Sequence, residues 1–137
     1  MNFEECLRKN LVRENKASKD WVENELNTAD KFFGQASAIF LAGQLESAEI
    51  MAYNSIFHMA RALLYSKQYS EKSHYCLFVG ISRLYPDLQD MCKKAHNLRE
   101  ARHDTVYGGK EVSKEEAKYA ILFAGEFKEA TEKILNK

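Results

Sequence analysis

The sequence predicts an all-α fold, an antiparallel bundle of about five or six helices, and three observations carry that expectation. One proline and six glycines in 137 residues are too few turn formers for the frequent reversals of an all-β domain. Apolar residues recur at three-four spacing, as in Trp21, Val22, Leu26, Ala29, Phe32, Phe33 and Ala36. Start and stop signals divide these stretches at short intervals. With 45% apolar residues and no shift of composition along it, the chain reads as a single domain over residues 1–137.

The first helix is expected from about Phe3 to Asn15. The second runs from Ser18, read as an N-cap, to Ala42, with Gly43 as its stop. A third, Leu45 to Ser66, buries Ile50, Tyr53, Ile56, Phe57 and Leu63, and also carries Asn54, His58, Arg61 and Tyr65 within an arc of roughly 60°. That polar seam matters chemically only if it faces another one. A polar loop over residues 67–73 leads to a fourth helix from His74 through Leu84, and Tyr85-Pro86 turns the chain. Asp87 is the expected N-cap of the fifth helix, which Gly108-Gly109 ends. Ser113-Lys114-Glu115-Glu116 forms a capping box for the last, to Leu135, whose alanines and Gly125 allow close approach of a neighbour.

Formal net charge is zero, so attraction to nucleic acid has to come from a local patch. The acidic start Met1-Asn2-Phe3-Glu4-Glu5 is unlike a signal peptide, and the longest apolar stretch, Phe32 to Ala42, is too short to span a bilayer. A cytoplasmic protein with no membrane contact is expected. Cys6, Cys76 and Cys92 show no C-x-x-C spacing and read as reduced, half-buried residues. Only Glu71-Lys72-Ser73-His74 has the Glu-x-x-His spacing of a carboxylate-bridged metal bundle, and it falls in the loop, so no metal and no cofactor are expected.

The densest chemistry lies in the fifth helix. His96, Arg99, His103 and Tyr107 project within an arc of roughly 80°, with Arg102 to one side. Such a face suits a phosphate; the plain alternative is a solvated basic face with a His and a Tyr against a neighbour.

The segment Tyr53-Asn54-Ser55-Ile56-Phe57-His58-Met59-Ala60-Arg61-Ala62-Leu63-Leu64, followed by Lys72-Ser73-His74, resembles the HEPN superfamily over about Ala48 to Leu135. It is most similar to small prokaryotic members with an Arg-rich helix after the Lys-x-His. The resemblance implies a dimerising helical bundle and, in many members, a metal-independent ribonuclease acting across the dimer. It also implies a minimal nucleotidyltransferase as partner, the two forming a toxin and antitoxin pair. The family's ribonuclease signature is an Arg, usually followed by a polar residue, with a His after four to six intervening positions. Arg102-His103 matches its opening, but Tyr107, Gly108 and Gly109 stand where the His should fall. Arg102, His103 and Tyr107 are therefore the candidate catalytic residues, and Arg99, His96, His58, Arg61, Lys72 and His74 the candidate ligand contacts. The expected function is binding of a nucleotide or RNA phosphate beside a nucleotidyltransferase. The alternatives are an active ribonuclease toxin with a degenerate motif and a purely structural dimeric scaffold.

Overall fold

Helix α1 (Phe3–Arg8) starts on a capping box in which the Asn2 side chain accepts from Glu5 N at 2.9 Å. The computed structural model, which describes residues 1–136, ends this helix well before Asn15. Asn10 turns it at φ 60°, a left-handed conformation that Asn tolerates better than most residues. The buried, β-branched Val12 then opens a short strand, β1 (Val12–Glu14). It pairs antiparallel with β2 (Tyr69–Glu71), Val12 opposite Glu71, inside the expected loop. A 3-10 turn, Lys16–Trp21, follows, capped by Asn15. Ser18 caps nothing: its buried hydroxyl lies 2.7 Å from the Asn15 carbonyl and 3.1 Å from that of Tyr65.

Helix α2 (Val22–Leu41) stops at Gly43, whose φ of +80° costs a glycine little. Helix α3 (Leu45–Ser66) and α4 (His74–Leu84) have the expected bounds, α4 being capped by Ser73 Oγ on Cys76 N at 3.1 Å. Asp87 lies inside a 3-10 turn, Pro86–Leu88, and α5 (Gln89–Gly108) starts without a side-chain cap. Its end is as the sequence predicts, with Gly109 left-handed. Helix α6 (Lys114–Leu135) begins on the Ser113/Glu116 capping box.

The architecture is an all-α bundle with α3 at its centre, packed against by α2, α4, α5 and α6. Tyr53, Ile56, Met59 and Leu63 of α3 meet Phe78 and Phe127 in a core of fully buried side chains. At Gly125 a Cβ would stand 3.7 Å from the Phe33 ring, which is how α2 seats against α6. A satellite cluster of Phe3, Cys6, Val12 and Cys76 attaches the N-terminal segment.

The expectation of reduced cysteines needs correction. Cys6 and Cys76 are joined in a disulfide across 70 positions, because α1 and the first turn of α4 pack together; only Cys92 is a free, buried thiol, and burial pushes it up to about 11. Tyr69 and Tyr85 are half-buried. Tyr69 packs on Phe3 edge to face, and the Tyr85 hydroxyl lies 2.8 Å from Ser66 Oγ and donates to the Leu63 carbonyl at 3.0 Å. Tyr75 stays 37% exposed, and no described helix is long and apolar enough to cross a membrane.

Candidate functional site

The polar seam of α3 meets carboxylates. Glu25 lies on the apolar stripe of α2, four residues before the buried Ala29, so the helix turns its side chain inward. His58 Nδ1 stands 2.5 Å from Glu25 Oε2 and donates to it. Arg61 reaches Glu25 Oε1 at 3.6 Å and, through Nε, Glu71 Oε1 at 3.2 Å, while the Tyr65 hydroxyl donates to the same Glu71 oxygen at 3.2 Å. The Arg61 guanidinium lies 4.7 Å over the Phe57 ring. Every charge in this group has its opposite beside it.

One to two turns earlier on α3 the situation reverses. The Tyr53 ring is fully buried, and the Arg102 guanidinium of α5 stacks over it at 5.0 Å. Its hydroxyl lies 2.7 Å from Nδ1 of His74, the first residue of α4, whose ring also stacks on Phe57 at 4.3 Å. Burial holds the Tyr53 phenol well above its ordinary range, against the pull of Arg102 and Arg99. Burial first, then Arg102, Arg99, Arg61 and His58, lowers His74 to about 4. The ring is therefore neutral at pH 7, and the helix N-terminus it occupies disfavours its proton further. With the phenol protonated, we assign it as donor to Nδ1, which leaves the ring hydrogen on Nε2.

The two arginines here have no counter-charge: among the described residues no carboxylate pairs with Arg99 or Arg102. Their Nε atoms are buried without a hydrogen-bond partner, as is Nδ1 of His96. An unmade bond at a buried donor costs about 1–3 kcal/mol, so orphaned N–H groups on two adjacent guanidiniums mark a place for an acceptor from outside. Two positive charges, their donor forks and a neutral imidazole suit an oxyanion, above all phosphate.

The structure thus brings Arg99, Arg102 and His74 together and adds Tyr53. His96 borders them, ringed by Tyr75 at 5.0 Å and Phe78 at 5.5 Å, and burial lowers its basicity. His103 and Tyr107 are exposed, with their rings 4.7 Å from one another. His58 and Arg61 belong to the carboxylate group, and Lys72 is exposed beside β2. Sequence reading missed Tyr53, which looks like core, and the two carboxylates; the position of Glu25 on an apolar stripe was the signal available for one of them.

A family profile described as HEPN domain matches residues 22–134. This chain belongs to the HEPN domain family. The match opens on the first residue of α2 and closes within the last turn of α6, so the bundle is the HEPN domain and α1, β1 and the 3-10 turn lie outside it. Membership gives the HEPN chain a nucleotide- or RNA-related role at the level of the family. Comparison with curated proteins gives no match.

Proposed function

We propose that this HEPN chain holds a phosphate group of a nucleotide or of RNA between Arg99 and Arg102, and that it works in the cytoplasm beside a nucleotidyltransferase partner as one half of a toxin-antitoxin pair. The observation that supports the reading is the pair of buried, partnerless Nε–H groups on guanidiniums that no carboxylate neutralises. Tyr53 stacks under Arg102 and holds it in place. His74 offers its Nε2–H to the same anion. The proposal includes a homodimer, since α5 leaves Val106 43% and Tyr107 73% exposed near its end. Titration with AMP and with a short RNA, read by calorimetry, tests it. Arg102→Ala is expected to weaken binding by about 1–3 kcal/mol, Arg102→Lys to restore part of it, and rising salt to weaken the wild type. Absence of salt-sensitive affinity for either ligand sinks the proposal.

One observation favours a second reading, metal-independent RNA cleavage. In the other tautomer, with Nδ1–H donating to the Tyr53 hydroxyl oxygen, Nε2 of the neutral His74 ring is free to take the proton of a ribose 2′-hydroxyl while the two guanidiniums meet the charge that develops on phosphorus oxygens. In this reading His74 carries the proton, and the exposed His103 takes no part. Labelled RNA incubated with chelator separates the cases. Cleavage that His74→Asn abolishes and His103→Asn leaves intact supports the nuclease, and binding without cleavage supports the first reading.

A further inference from the structure

The opposite flank of α5 bounds a second concavity, of about 330 Å³, between that helix and the start of α6. At its floor lies Glu49 of α3, only 2% exposed. Its Oε1 accepts a hydrogen bond from Thr105 Oγ1 at 2.8 Å; Oε2 has no hydrogen-bond partner among the described residues. No lysine or arginine there comes within ion-pairing distance of it. Burial raises its carboxyl above the usual range, with the Thr105 bond opposing. A buried carboxylate without a cation is rare, and here the unsatisfied oxygen belongs to a residue lining an open cavity.

The walls suit the body of an organic ligand. Leu98 and Ala101 of α5 form one side and the half-exposed ring of Tyr119 the other. At the rim Glu116 is paired with Lys110 at 3.2 Å, and Lys94 and Glu115, which also line the cavity, carry opposite charges, so the lining keeps the net charge of one carboxylate. Among the described residues no group of three or more His, Cys, Asp or Glu side chains stands close enough together to hold a divalent ion, which takes six or so oxygens. A neutral ligand would leave the carboxylate unpaired. We propose that this cavity binds an organic cation, a primary ammonium or a guanidinium on an apolar stem, with the head on Glu49 Oε2 and the stem between Leu98 and Tyr119.

The assignment is independent of the phosphate site, since neither Arg99 nor Arg102 lines this cavity. A free amine and the Lys or Arg side chain of another protein present the same head, so the probes are tyramine and N-acetyl-arginine methylamide, with uncharged 4-ethylphenol as control. Amide chemical shifts of Asn97, Leu98, Ala101 and Tyr119 report occupancy. Saturation at about millimolar cation is expected, as befits so small a ligand, with 4-ethylphenol about tenfold weaker. Glu49→Gln keeps the size and the acceptor for Thr105 and should weaken the cations about tenfold while AMP binding persists. Tighter binding of the blocked arginine assigns the cavity to a protein side chain, and tighter tyramine to a free amine. No saturable shift up to about 10 mM, equal binding of 4-ethylphenol, or an unchanged Glu49→Gln would overturn the inference.

Discussion

Along α3, Arg61 and His58 reach partners of one kind, and Tyr53, a turn or two earlier, reaches partners of another. The first pair finds Glu25 and Glu71, side chains 10% and 4% exposed, and closes its charges within the bundle. The second position receives Arg99 and Arg102 and no carboxylate at all. Both groups are half-buried, both mix arginine, histidine and tyrosine, and both are built around residues of α3. Closure of charge is what separates them. A group that balances itself builds the fold, and one that does not is completed by something the chain does not encode.

The largest way to break that contrast is to open the closed group. Glu25→Ala leaves His58 and Arg61 without a shared acceptor, and a cost of about 3 kcal/mol is expected in urea unfolding, the scale for stripping one partner from a buried pair. Arg102→Ala in the same assay should fall within about 1 kcal/mol of wild type, since it removes a stacking contact together with an orphaned donor. If Arg102→Ala unfolds the chain instead, Arg102 is a structural residue and the contrast fails.

Acid offers a second, smaller lever. An ordinary histidine titrates near 6.5 and His74 near 4, so below pH 6.5 the unfolded chain takes up the proton first. The fold therefore loses stability as pH falls from about 6.5 to about 4, and is indifferent to this group above that window. His74→Asn should flatten that part of a stability-pH profile. Bound AMP should move the His74 ring resonances to a higher titration midpoint, because a dianion beside the ring favours its proton.

The smallest expected effect concerns Glu49. Its raised carboxyl means that the folded chain holds this proton more tightly than the unfolded one, so stability is lost as pH rises through the raised value. Glu49→Gln should then gain a few tenths of a kcal/mol at pH 7 and nothing near pH 4, as melting curves at the two values would show.

Helix bounds were readable where a residue has one strong local role. Gly43, Gly109 and the Ser113/Glu116 box set the ends of α2 and α5 and the start of α6 in sequence and structure alike. The β1–β2 ladder was not, because three-residue strands have no periodicity to read and their pairing joins segments far apart in the chain. Ser18 misled for a related reason: its hydroxyl finds the Tyr65 carbonyl, 47 residues away, rather than its own helix. In the site, Arg99 and Arg102 stood out by clustering, and the Arg102–Tyr53 stack makes α3 and α5 neighbours there. Which imidazole accompanies them was out of reach. His103 is close in sequence and exposed on the same helix, while His74 arrives from another helix and stands against Tyr53.

The Cys6–Cys76 bond makes a ring of half the molecule. Closing a loop of 70 residues removes entropy from the unfolded chain worth about 4 kcal/mol in the polymer estimate, so the staple's effect is felt mostly by a state in which none of the contacts above exist. It also gives the segment ahead of the HEPN match a fate of its own. A protease cut between the two cysteines would yield fragments that stay one particle until a reductant reaches them. The N-terminal arm, which shares no profile with the family, is thereby carried by the domain as covalently as if it were inserted in it.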